Sequence, residues 1–387
     1  MPTITVEAGS SDRLDTPMSV RLPESLLAFR PLLLVEVTSG QRSPVPAQVE
    51  QGKPGRLWWI LNGKTKSGSK RVFELSYGPP SVGESVDLLL GERTLDASFG
   101  GQQLFSYNHA HVLPPKGADP AYIRSGYIHP MFSPSGKLIT EDFPGDHLHH
   151  KGIWFPWTKT EFEGRKIDFW NLGGKTGTVQ FAGFDAIEGG SFYGRFRVKH
   201  EFVDLTQPDG GKVALNETWD VRVYAVGGPK GGWWLWDLTS TQRCASESPL
   251  HLKKYRYGGL GFRGPKEWKG ENYTILTSEG KTSEDGHATR ARWCAHSGAV
   301  ESEVSTVVLM SHTHNIIFPE PMRIWNRSMS GCFFNFAPIQ ARDITLKPGK
   351  TTIFRYRFLV HQGAIDAVRS EHAWKDFCEP PTAKISA

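Results

Sequence analysis

Short runs rich in Val, Ile, Phe, Trp and Tyr recur along the whole chain, and most alternate apolar with polar residues. RPLLLVEV, RLWWILNG, RVFELSYG, GTVQFAGFDAI, SFYGRFRVKHEFVDL, ALNETWDVRVYAV and TTIFRYRFLVHQ are examples. A period of two sends successive side chains to opposite faces of an extended strand, so that one face buries and the other meets water, as in antiparallel sheets. Between these runs stand QPDGGK, GGPKGGWW, LKPGKT and SPSGK, turn formers at hairpin-like spacing. Helical spacing is scarce, its best example being GAIDAVRSEHAWKDF near the C-terminus. The pattern predicts an all-β protein.

At 387 residues the chain exceeds the usual size of one domain, so a large domain and a smaller one are expected. The strand pattern breaks at LSYGPPSVGES, where Pro, Gly and Ser cluster. Residues 1–84 therefore read as a small N-terminal β module, and residues 85–387 as one large β-sandwich of two extended antiparallel sheets.

No apolar run approaches the roughly 20 residues that span a bilayer, so no membrane span is expected. The net charge of +5 is small for this length and is not gathered into a Lys/Arg tract, which argues against a nucleic-acid partner. Cys244, Cys294, Cys332 and Cys378 are far apart and form no CxxC pair, as expected of free thiols rather than of a zinc or redox motif. The segment MPTITVEAGSSDRLD lacks a basic stretch followed by an apolar one, so the compartment stays open: cytoplasmic as given, or periplasmic for a chain whose leader has been removed. The oligomeric state is open too.

Three H-x-H pairs stand out: His109 with His111, His147 with His149, and His312 with His314. Fourteen histidines scattered at random would give about half of one such pair. On a strand each pair would present two imidazoles on one face. Such a pair suits ligation of a divalent metal with a carboxylate completing the site, or metal-free acid–base work by groups that titrate near neutrality. It equally suits hydrogen-bonded polar positions on partly buried strands.

The surroundings of the second pair favour a site. GYIHPMFSPSGKLITEDFPGDHLHHKGIWFPW gathers His129, Glu141, Asp142, Asp146, His147, His149, His150 and Lys151 in a proline-punctuated, loop-rich stretch. Trp154, Phe155 and Trp157 follow, then Asp168, Trp170 and Asn171 in IDFWN. Aromatic faces beside carboxylates and amides suit a sugar, whose C–H faces stack while its hydroxyls hydrogen-bond, although buried tryptophans are also ordinary core. The stretch SEDGHATRARWCAHSG offers Arg292 as a clamp beside Trp293, and SHTHNIIFPEPMRIWN offers His312, His314, Asn315, Arg323, Trp325 and Asn326 as walls of the same cleft. No Walker loop, GxGxxG fingerprint, GxSxG elbow or HExxH helix is present, which disfavours nucleotide binding and serine-hydrolase chemistry.

The histidine block, with DFW, RARW and a late W…G…FFNF segment, resembles the bacterial proteins labelled PmoA-like, whose function is not established. That label comes from a membrane-bound copper enzyme, and a chain without a membrane span does not support methane oxidation. The resemblance implies a galactose-mutarotase-type β-supersandwich, a fold common among carbohydrate-active epimerases, lyases and hydrolases.

Three readings follow. The first is a carbohydrate-active enzyme in which His129, His147, His149 or His150 does acid–base work on a sugar or oxidised sugar, with Asp142 and Arg292 assisting and Trp154 and Trp170 as floor. The second is a metal-dependent enzyme with His147, His149 and Asp146 as ligands of a divalent ion. The third is a non-catalytic carbohydrate-binding protein. Proton abstraction next to a carbonyl or carboxylate fits a His-rich site better than glycoside hydrolysis by two opposed carboxylates.

Overall fold

The computed structural model describes residues 1–27, 31–50, 54–81, 83–207, 210–325 and 331–386. The expected all-β architecture is what forms. Two large sheets face each other, and every pairing between their strands is antiparallel. One has eight strands, Gly177–Glu188, Tyr193–Asp204, Lys212–Tyr224, Trp233–Cys244, Thr352–Gln362, Glu303–Ser311, Trp293–Val300 and Thr274–Thr277 in spatial order. The other has nine, and its middle runs Phe333–Phe336, Gly261–Arg263, Ile153–Trp154, Tyr127–Met131 and Gln102–Asn108. Rings from both sheets interlock in the core between them, Phe105 meeting Phe196 at 6.4 Å and Trp236 at 5.2 Å. Trp236 in turn stacks on Phe358 across the adjacent strand at 3.8 Å.

The nine-stranded sheet has a second, outer apolar face. Ile128, Ile153, Phe262 and Phe334 point into the sandwich core, whereas their neighbours Tyr127, Trp154 and Phe333 join Trp170 and Trp325 in a separate aromatic cluster. Strand alternation thus builds an aromatic floor on the side of the sheet facing away from the core.

The N-terminal strands form a five-stranded and a three-stranded sheet around their own apolar core, Ile4, Leu34, Trp59 and Phe73 among its members. The last strand, Thr382–Ser386, pairs with Thr3–Glu7 in this module, although a division at residue 84 would leave it with the large sandwich. Glu50 ties the module to the sandwich: it accepts hydrogen bonds from Arg195 at 2.7 Å, Arg222 at 3.0 Å and Trp58 Nε1 at 2.6 Å. The expected C-terminal helix spans Ala367–Cys378, capped by Asp366, whose side chain accepts from Arg369 N. All four cysteines are free, Cys294 and Cys332 buried and the other two partly so. Among the described residues no helix is long and apolar enough to cross a membrane.

Candidate functional site

Residues 144–150 cross the outer aromatic floor as successive turns, not as the strand that an H-x-H pair suggests. His147 N donates to Pro144 O at 2.9 Å and His150 N to His147 O at 2.8 Å. In such a turn residues three apart come together, so His147 stacks on His150 at 4.8 Å and 21°. His149 stands edge-on to both, 5.5 Å from His147 and 4.7 Å from His150. The other two H-x-H pairs also fall in loops beyond strand ends. Proline and glycine punctuation overrides period-two spacing here, because the turn hydrogen bonds replace a ladder.

Close backbone approach fixes the turn on the sheet. A Cβ on Gly152 would lie 2.5 Å from Ile128 O, so only glycine lets the chain leave the histidine turn and pair directly with Tyr127–Met131. On the far side Gly259 adopts φ +117°, and a Cβ there would meet Phe336 O at 2.6 Å. That glycine and the buried Asn335, which accepts from Gly258 N and donates to Leu260 O, bring Arg256 and Tyr257 over the same floor.

The result is a cavity of about 250 Å³ lined by His147, His149 and His150, the rings of Trp170, Tyr257, Trp325 and Phe333, and the polar ends of Asn171, Arg256 and Arg323. Asn171 is locked in place. Its Nδ2 donates to Asp168 Oδ2 at 2.7 Å and to Tyr257 Oη at 3.0 Å, while Asp168 Oδ1 accepts from Trp170 N and Asn171 N at 2.8 Å each. Asp168 also accepts from Thr158, so it serves as a bracket for the loop and contributes no free carboxylate to the cavity.

Burial sets the protonation of the histidines. His149 is pushed down to about 4, first by loss of solvent and then by the neighbouring His147. His150, 2% exposed, is driven well below the ordinary imidazole range by the same loss of solvent, and its Nδ1 has no hydrogen-bond partner among the described residues. Both are neutral imidazoles at neutral pH. His147 is a third exposed, with Asp146 Oδ2 3.1 Å from its Nδ1, a close contact without the alignment of a hydrogen bond.

Beneath the turn lies a buried polar layer. Lys151 is fully buried, its amine 3.1 Å from Asp142 and over the ring of Phe143, and Asp142 accepts from Tyr127 Oη at 2.6 Å. Burial outweighs the carboxylate's attraction and holds the amine down at about 7. Asp142 is therefore a structural partner of Lys151, not a group lining the cavity. His129 sits on the adjoining strand with Nδ1 2.9 Å from Thr140 Oγ1, and it too lies outside the lining.

Several other expected site residues are elsewhere. Trp154 is wholly buried under the cavity, and Trp157 is in the sandwich core with its Nε1 donating to Gln242. Arg292 and Trp293 both bond Glu371 of the C-terminal helix. His312 stacks edge-on against Phe377 of that helix and accepts from His314 N, and Asn315 is consumed by Ser311, Glu320 and the backbone of Arg355. These five belong to the packing of the helix against the eight-stranded sheet, which sequence proximity to Arg323 and Trp325 could not reveal. Asn326 lies outside the described residues. For the metal reading, no group of three His, Cys, Asp or Glu side chains among the described residues is arranged to hold an ion.

Residues 94–375 match a family described as a family of unknown function, DUF6807, a stretch that contains every residue lining the cavity and leaves out the N-terminal module. The chain belongs to the DUF6807 family. Nothing in the comparisons carries the PmoA-like label that the sequence resemblance suggested. No curated protein matches the chain. Among solved structures, a protein in the glycosyl hydrolase family 38 from Enterococcus faecalis is similar at 9% identity and a TM-score of 0.47, over 100% of this chain and 47% of that one. An alpha-mannosidase from Enterococcus faecalis V583 is similar at 10% identity and a TM-score of 0.48, over 100% of this chain and 46% of that one. The DUF6807 chain thus spans about half the length of those structures.

Arg256, Tyr257 and Phe333 were not singled out from the sequence, and Arg323 was named only in passing. The available signal was KYRYGG: an arginine between two tyrosines, ahead of a glycine pair that must turn sharply.

Proposed function

We propose that this protein is a carbohydrate-active enzyme that moves a proton on its substrate with the imidazoles of His149 and His147. The observation that carries the reading is His149, a half-buried imidazole that loss of solvent keeps neutral down to about pH 4 and that opens on a cavity floored by Trp170, Trp325 and Phe333. A base must be unprotonated before it can act, and burial guarantees that state. Aromatic faces accept the C–H face of a sugar ring, and Asn171, held by Asp168 and Tyr257, presents a fixed amide to a hydroxyl. His147 lies 5.5 Å from His149, ring to ring, beside Asp146, and is placed to pass the proton towards solvent.

Among the lining residues there is no carboxylate, so the opposed pair that most glycoside hydrolases use is not supplied by the wall. Proton abstraction next to a carbonyl or carboxylate, giving epimerisation or β-elimination, suits neutral imidazoles better. The mutarotase-type sandwich that the sequence resemblance implies is common among carbohydrate-active enzymes, and favours a sugar as substrate.

The test is a panel of oxidised and unoxidised glycosides, each assayed with the natural chain and with His149→Gln, with and without chelator. Turnover should fall by about 100-fold in the variant while ligand affinity stays nearly intact, the pattern of a group that acts in the transition state. Chelation should change nothing. Full activity of His149→Gln on a confirmed substrate overturns the reading. Loss of activity on chelation replaces it with ligation by His147, His149 and Asp146, and binding without turnover across the panel replaces it with a non-catalytic sugar-binding role.

A further inference from the structure

Arg256 and Arg323 bring two positive charges to the cavity wall, and none of the lining residues is a carboxylate. Arg256 is exposed and Arg323 half-buried, and neither has an ion-pair partner among the described residues. Arg263, which lies under the Trp325 ring, is by contrast paired, with Glu141 at 3.0 Å. Tyr257 sets the geometry of the unpaired two, its ring lying 5.7 Å from the Arg256 guanidinium and 5.8 Å from that of Arg323.

The arrangement is costly as it stands. Burial and then the charge of Arg256 weaken the hold of Arg323 on its proton, and Arg323 Nε is a buried donor with no partner among the described residues. A buried donor left unmade is costly, and more so when it is charged. An anion placed between the two guanidinium groups would relieve the repulsion and satisfy the donor together, and a planar guanidinium suits an oxyanion in bidentate fashion.

We infer that the substrate is an anionic sugar, carrying a carboxylate or a sulfate ester, whose charged group is bound by Arg323 and Arg256 while its ring lies on the aromatic floor. The inference rests on the proposed reading of the cavity as a sugar site and extends it to substrate class. It also fits the chemistry: neutralising a carboxylate makes the adjacent C–H more acidic, which is what a neutral imidazole base requires.

Trp170 and Trp325 line the cavity and provide an intrinsic fluorescence signal for titration of the full chain with D-glucuronate, D-galacturonate, glucose 6-sulfate and their neutral parents glucose and galactose. At least one anionic sugar should bind ten-fold or more tightly than its neutral parent, and Arg323→Gln should erase that preference, so that charged and neutral sugars bind the variant alike. Arg256→Gln, at an exposed position, should give a smaller loss in the same direction. A uronate preference assigns a carboxylate and a preference for glucose 6-sulfate assigns a sulfate ester. Equal binding of charged and neutral sugars, or a preference that survives both substitutions, overturns the inference. Failure here is separable from failure of the proposed function: His149-dependent turnover of a neutral sugar would leave acid–base work standing without an anionic substrate. An arginine-dependent preference with no turnover would do the reverse.

Discussion

The imidazole of His150 lies parallel to the ring of Phe333, 4.5 Å between centroids and 16° apart. The two residues come from different ends of the domain, and their contact joins the histidine turn to the strand Phe333–Phe336 in the middle of the nine-stranded sheet. His150 is thereby held by packing from beneath, while His147 and His149 are the less buried imidazoles of the cavity wall.

Removing that ring should loosen the turn. Phe333 is 1% exposed, and Phe333→Ala should cost about 3 to 5 kcal/mol of stability through the cavity it leaves. Phe333→Leu should retain most of the stability yet still lower turnover, because the imidazoles lose their flat backing. Urea denaturation alongside steady-state rates separates the two effects. Equal turnover in the Leu variant and the natural chain would mean that the stacking does not position the histidines.

The acid limb of activity should be set by His149. Its folded-state value near 4 predicts that kcat/KM stays level from neutrality to about pH 5 and falls with unit slope below about 4. A limb at the unperturbed imidazole value of 6.5 would assign the base to another group.

Stability should follow a different window from the same cause. In the unfolded chain His149 binds a proton near 6.5, whereas folded it does not until about 4, so the unfolded state holds more protons between those values. The stabilisation is therefore complete above 6.5 and is lost as pH falls towards 4. His312, also held at about 4, and His296, at about 3, act in the same direction and extend the loss further into acid. His149→Gln should flatten the fall in unfolding free energy between pH 6.5 and 4, read by urea denaturation at each pH, by the share of one proton, about 3 kcal/mol at most.

Lys151 tests the layer beneath. Lys151→Met leaves Asp142 buried beside Tyr127 without its cation, and breaking one side of a buried pair costs about 3 to 5 kcal/mol. The double variant Lys151→Met with Asp142→Asn should recover a large part of that loss, as read by chemical denaturation. Additive losses would show that the two side chains do not act as a pair.

Glu50 holds three donors from two parts of the molecule. Glu50→Ala should cost about 2 to 4 kcal/mol by leaving Arg195, Arg222 and Trp58 without their shared acceptor. Because the contact joins the N-terminal module to the sandwich, calorimetry should show the single transition separating into two. A change below the resolution of calorimetry would mean that apolar contacts such as Trp58 against Phe192 suffice.

Fold class was legible because alternation is a local property: TTIFRYRFLVHQ and SFYGRFRVKHEFVDL carry their period within a dozen residues and became the strands Thr352–Gln362 and Tyr193–Asp204. His147, His149, Trp170 and Asn171 were legible for the same reason, being close together in sequence. Arg256, Tyr257 and Phe333 were not, since their arrival at the cavity depends on which strands neighbour one another in the sheet. That order is fixed by packing across the whole core. The same limit explains the misplacement of Arg292, Trp293, His312, His314 and Asn315. A histidine pair and an arginine beside a tryptophan look alike whether they face a cavity or the inner side of a helix.

Thr3 and Ser386 are partners in one sheet although 383 positions separate them. At synthesis rates of 5 to 20 residues per second, the first strand waits roughly 20 to 80 seconds for its edge neighbour. Throughout that interval the emerging module presents an open strand edge, the kind of surface that recruits stray β-structure. The large sandwich lies between these two strands in sequence, so it is made in the meantime and the small module closes only after it.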